Sequence, residues 1–264
     1  MATSSLLRSR RQRPHPDAMT LVEHIAELRT RVMVSAFAFL VTAVVAFVFY
    51  PQILGWLKSP YCTVAGTHHC ALYVTSPIDG LALRVKIAAY GGLFLASPVI
   101  LFELWRFITP GLRANERRYA VSFVGASIVF FGFGCILAYL VFPHALQWLG
   151  SIGGPSLVEI YDPNKYLGLI VALMALFGVS FEFPVVLVAL ELAGVLTPQR
   201  LASWRRWAIV AITAAAGILT PSSDPFSMLG MAVPMVVFYE LAILVGRIVV
   251  RRRRRRVATG TATG

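Results

Sequence analysis

Four carboxylates stand where their type and spacing could do chemistry: Glu27, Glu116, Glu182 and Asp224. The chain carries 12 acidic residues against 24 lysines and arginines, a formal net charge of +12. An acid pair on the basic side of such a molecule is therefore a selective feature. Glu27 lies in His24-Ile-Ala-Glu-Leu-Arg29 and Glu116 in Arg113-Ala-Asn-Glu-Arg-Arg118. One reading is local pairing, Glu27 with Arg31 at i,i+4 and Glu116 with Arg113 at i,i−3. The other is a pair of carboxylates that receives guanidinium groups from a partner. Guanidinium forms two parallel hydrogen bonds to a carboxylate, and lysine cannot reproduce that fork. Each charge-assisted bond contributes about 1.5–3 kcal/mol.

Glu182 sits in Gly178-Val-Ser-Phe-Glu-Phe-Pro184, deep in an apolar run. Such an acid faces a cavity or a bundle interior, or is held protonated against a neighbouring helix. Glu191 and Glu240 lie nearer the ends of apolar runs and read as structural. Glu103, beside Trp105, reads as interfacial. Asp224, in Thr220-Pro-Ser-Ser-Asp-Pro-Phe226, suits a turn. Cys62 and Cys70 are the ends of a nine-residue segment containing His68 and His69. A disulfide in an oxidising compartment and a metal site are both open there. Cys135 lies in an apolar run as a packing residue. No nucleophile elbow, zinc-protease motif or phosphate-binding loop is present, and nothing supports catalysis, a cofactor or a metal requirement.

The elements that must position these residues are membrane spans. Of the 264 residues 58% are hydrophobic and 14% charged, and the mean hydropathy is +0.73. Soluble domains have about 25% charged residues, so a water-soluble enzyme and a disordered chain are both excluded. Apolar segments fall at roughly 32–50, 86–107, 119–142, 166–193, 207–219 and 227–249. A spanning helix needs about 20 residues. The fifth segment is short. It must thin the bilayer, borrow polar flanks, lean on other helices or re-enter.

With both termini cytoplasmic, every lysine and arginine except Lys58, Arg84, Lys86 and Lys165 falls on inner segments, as the positive-inside rule requires. All five tryptophans lie near span ends. Residues 1–17 read as a disordered basic tail. Thr20 and Glu23 fit a capping box, opening a short amphipathic helix on the inner interface that feeds the first span. Residues 18–250 form the membrane domain. Residues 251–264 form a basic tail whose Arg251–Arg256 run is attracted to anionic lipid, not to nucleic acid. Pro98, Pro184 and Pro234 lie inside spans and predict kinks, with neighbouring helices satisfying the freed carbonyls. No internal repeat is evident.

Four stretches carry a resemblance: HIAELRTR (24–31), SPVILFELWRFITPGLRANERR (97–118), ALFGVSFEFPV (175–185) and LTPSSDPFSMLGMAVPM (219–235). In this order, over residues 19–250, they resemble the TatC family, the multispanning subunit of the twin-arginine protein translocase. The resemblance implies an all-α integral membrane protein with six transmembrane helices in a curved, cupped bundle, in the cytoplasmic membrane. It implies a non-enzymatic signal-peptide receptor that exports folded proteins using the proton motive force. Glu27, Arg29, Phe107 and Glu116 would form the surface that binds twin-arginine signal peptides. Glu182 would be the intramembrane acid of the concave face, and Pro60 and Pro98 structural positions. Thr220, Asp224 and Met228 would meet the single-span partners TatA and TatB, and the subunit would oligomerise in the complex. A proton-coupled small-solute transporter with Glu182 as relay, and a plain membrane scaffold, are the alternatives.

Overall fold

In a bilayer every backbone N–H and C=O must be satisfied within its own segment, so long apolar runs without strand-like alternation become helices. The computed structural model describes residues 21–65, 72–74, 76–108, 120–154 and 161–260. Among them are eight α-helices: α1 Leu21–Val48, α2 Tyr50–Ala65, α3 Asp79–Ile108, α4 Ala120–Gly153, α5 Pro163–Ser180, α6 Phe183–Leu192, α7 Pro198–Leu219 and α8 Pro225–Gly260. No strand occurs among the described residues. Among the described residues, five stretches are long and apolar enough to cross a membrane: His24–Val48, Asp79–Ile108, Val121–Gly153, Pro163–Leu192 and Pro225–Ile248.

The sixth candidate is α7. The apolar stretch 207–219 is the second part of a helix of 22 residues, about 33 Å long. Thr197 starts it by accepting a bond from Arg200 N at 3.3 Å. The helix thus borrows a polar flank, Arg200 to Arg206, and that flank keeps its mean apolarity low.

Three elements differ from the sequence reading. The amphipathic stretch and the first span are one unbroken helix, α1; Thr20 of the expected capping box lies outside the described residues. The loop after the first span opens with a helix, α2. The last helix continues through Arg251–Arg256 to Gly260.

The fourth apolar run divides at Glu182. Phe181 N donates to Phe177 O at 2.9 Å, but Glu182 N reaches only to Val179 O, at 3.1 Å. Pro184 has no N–H to give, and the ladder resumes with Val186 N on Glu182 O at 3.0 Å. The chain meanwhile runs on unbroken through Pro98 in α3 and Pro234 in α8. The carbonyl that Pro98 cannot serve is Phe94 O. It accepts a bond from Ser97 Oγ at 2.7 Å, so its partner comes from the same helix and not from a neighbour. At Pro60 in α2 the freed carbonyl, Trp56 O, accepts from Tyr139 Oη of α4 at 2.9 Å.

The main core lies among α4, α5 and α8, with Phe142, Phe177, Phe181, Ile170 and Met231 fully buried. A smaller cluster of Trp105, Phe123, Val185 and Ala189 joins α3, α4 and α6.

The antiparallel pairing of α1 with α3 positions the candidate site. Thr42 Oγ1 donates to Gly92 O at 2.7 Å. A Cβ on residue 92 would fall 2.6 Å from Ala43 Cα, so only glycine permits this approach. Register follows from the contact. Eleven residues back along α1 and eleven forward along α3, about three turns or ~16 Å, Arg31 stands opposite Glu103.

Candidate functional site

Arg31 is the centre of the site. Its Nη2 donates to Glu27 Oε1 at 3.0 Å, one turn back on α1. Its Nη1 donates to Glu103 Oε2 on α3 at 2.9 Å. The side chains of Arg31, Glu27 and Glu103 are 17%, 18% and 8% exposed, so these bonds are little screened by water. One cation between two carboxylates leaves the cluster with a net charge of −1. Two polar atoms in it, Glu27 Oε2 and Arg31 Nε, are buried with no hydrogen-bond partner.

One turn beyond Glu103, Phe107 stacks on His24 with ring centroids 4.3 Å apart and planes 18° apart. His24, Glu27 and Arg31 fall at i, i+3 and i+7 of α1, a single stripe. Arg29 is two residues from Glu27 and therefore about 160° around the helix from it. Arg29 is exposed and borders a shallow hollow of about 590 Å³ with Ile25, Ala26, Thr30 and Met33. The structure brings Glu27 and Phe107 together and sets Arg29 apart. Glu116 lies outside the described residues.

Trp105, two residues past Glu103, faces α4. Its Nε1 donates to Ser127 Oγ at 2.6 Å in a buried bond. Ser127 lies near the Glu182 carboxyl group, whose Oε1 is buried without a partner. Glu182 thus stands at the α5–α6 break near the Trp105–Ser127 bond that ties α3 to α4.

At the other end of the molecule Thr220 and Asp224 are 2% and 0% exposed. Thr220 Oγ1 donates to Ala216 O at 2.8 Å. Asp224 caps α8: its Oδ1 accepts from Ser227 N at 2.7 Å, and its Oδ2 accepts from Ser222 Oγ. Ser223 takes a positive φ of 47° to close the turn. Both predicted contact residues point into the turn they build. Met228 is half-buried and packs against the core. Cys62, near the end of α2, is disulfide-bonded, and Cys70 lies outside the described residues.

The family model of the Sec-independent protein translocase protein (TatC) matches residues 23–234. The chain belongs to the TatC family. It is 41% identical to the Sec-independent protein translocase protein TatC of Frankia casuarinae over 94% of this chain and 71% of that one. It is 35% identical to the TatC protein of Aquifex aeolicus over 89% and 98%. A crystal structure of the twin-arginine translocase receptor TatC superposes with a TM-score of 0.70 at 35% identity, covering 86% of this chain and 99% of that one. This TatC chain is accordingly a multi-pass membrane component of a protein translocase and not an enzyme. The matched range holds Glu27, Arg31, Glu103, Phe107 and Glu182.

Sequence reasoning missed the part played by Glu103 and Ser127 in this TatC chain. Ser127 carried no signal among the apolar residues of α4. Glu103 carried one: it is an acid on the face of α3 that the glycine pair Gly91-Gly92 also marks.

Proposed function

We propose that this chain is the signal-peptide receptor of the twin-arginine translocase, with Glu27 and Glu116 taking the two arginines of the ligand. The observation that carries this reading is the bonding of Arg31. The chain's own guanidinium lies on Glu27 at 3.0 Å, in a largely desolvated setting. That is the chemistry an arginine ligand needs. The residual charge of −1 leaves the cluster able to accept a further cation, while the surrounding arginines repel generic basic segments. Phe107, stacked on His24, forms the aromatic wall of the same surface, while Arg29, on the opposite side of α1, lies outside it.

The arginine-rich end faces the cytoplasm, both termini lie there, and the membrane is the cytoplasmic one. TatA and TatB type single-span proteins meet the turn between α7 and α8. Thr220 and Asp224 shape that turn, and Met228 with the exposed Phe226 and Leu229 supplies contact area. Glu182 serves the cavity that accepts the apolar part of the signal peptide. The proton motive force drives the assembled complex, since six helices enclose no passage for a folded cargo.

The test is binding of a twin-arginine peptide and its twin-lysine version to the full chain in lipid nanodiscs. The arginine peptide binds at least about tenfold more tightly, the equivalent of one charge-assisted hydrogen bond. Glu27→Ala with Glu116→Ala removes the preference. Equal affinities for the two peptides overturn the proposal.

A further inference from the structure

Among the described residues, the ionic partner of Glu27 is Arg31. An arginine ligand arriving at Glu27 therefore meets a resident arginine. We propose that Arg31 is an exchangeable internal guanidinium and that Glu103 is the positioning residue that takes it over when the ligand engages Glu27. This rests on the receptor reading above and adds a mechanism to it.

The bonding of Arg31 and the idle oxygen of Glu27 define the exchange. In the present arrangement Arg31 divides its two Nη groups between two carboxylates, and both Glu27 Oε2 and Arg31 Nε are buried without partners. If Arg31 turns wholly onto Glu103, its Nη2 leaves Glu27 and joins Nη1 in an end-on fork on that carboxylate. Glu27 is then free to present both oxygens to the ligand's guanidinium, and its idle Oε2 gains a partner. No charged group loses its counter-ion, and the idle oxygen of Glu27 gains a bond. Without Glu103, release of Arg31 from Glu27 would leave a buried cation unpaired, a strongly unfavourable state. A lysine ligand offers Glu27 a point contact in place of a fork, so it drives the exchange poorly. The resident arginine thereby sharpens discrimination between arginine and lysine.

The experiment uses the full chain in nanodiscs with fluorescent twin-arginine and twin-lysine peptides. Glu103→Gln locks Arg31 on Glu27 and weakens twin-arginine binding about tenfold. Adding Arg31→Gln to Glu103→Gln removes the competitor, leaves Glu27 as the open carboxylate that the ligand pairs, and restores affinity to within about twofold of wild type. A purely structural role for Glu103 predicts no such recovery. Arg31→Lys alone, which holds Glu27 by a single point, binds the twin-arginine peptide several-fold more tightly. It decides the matter if the Glu103 variants do not fold. A Glu103→Gln protein that binds like wild type, a double variant as weak as Glu103→Gln, or an Arg31→Lys protein no tighter than wild type overturns the exchange and leaves the receptor reading standing. Wild-type protein that binds both peptides equally, or neither, overturns both.

Discussion

Asp224 shows how a single side chain can be needed without touching a partner. It is fully buried, and it satisfies an N–H of the first turn of α8 as well as the Ser222 hydroxyl. Replacing it with alanine removes the helix cap on Ser227 N, worth about 1 kcal/mol, and takes the acceptor from the part-buried Ser222 hydroxyl, a further ~0.5–1.5 kcal/mol. Asp224→Ala should therefore lower the thermal midpoint of the detergent-solubilised protein clearly. Asp224→Asn, which keeps an accepting oxygen, should lower it much less. The turn role was legible from Asp-Pro alone, as was the i,i+4 pairing of Glu27 with Arg31. The second carboxylate on Arg31 was not. Glu103 and Arg31 are 72 positions apart, and their meeting depends on which residues of α1 and α3 lie level. No local pattern around Glu103 states that, and its neighbour Trp105 suggested an interfacial acid instead.

Helices in this protein are held together by small departures from regular bonding. Ser97 supplies the hydrogen bond that Pro98 withholds from Phe94 O. Ser97→Ala should destabilise the protein by about 0.5–1.5 kcal/mol, the net worth of one such bond. Adding Pro98→Ala restores a backbone N–H to the same carbonyl and should recover much of the loss. Unfolding midpoints of the single and double variants read the effect directly, and additive losses would count against this assignment. The spans themselves were visible as apolar runs, but their ends were not. Apolarity marks where a helix is buried in lipid, while its length is set by caps such as Thr197 and by polar turns such as Arg200 to Arg206. Helix α2 escaped notice for the same reason. It holds two prolines, and the side chain that satisfies its freed carbonyl, Tyr139, comes from α4.

Taken whole, the molecule has an arginine-rich end and an opposite end closed by α2 and the Thr220–Ser227 turn. The proposed orientation gives a direct expectation for single cysteines in a background with the native cysteines removed. Gln199→Cys, exposed before the first turn of α7 has run its course, should react with a membrane-impermeant maleimide only in inverted vesicles. Tyr73→Cys, exposed between α2 and α3, should react only from outside intact cells, and the reverse pattern would invert the topology. The unequal halves of α7 bear on how the chain is made. Its arginines give it too little apolar length to enter a bilayer on its own account, whereas the segment that follows, Pro225–Ile248, is strongly apolar. The two are joined by a turn whose aspartate is already sealed from water. We expect the pair to enter the membrane together as one helical hairpin, the apolar second arm carrying the arginine-flanked first into place.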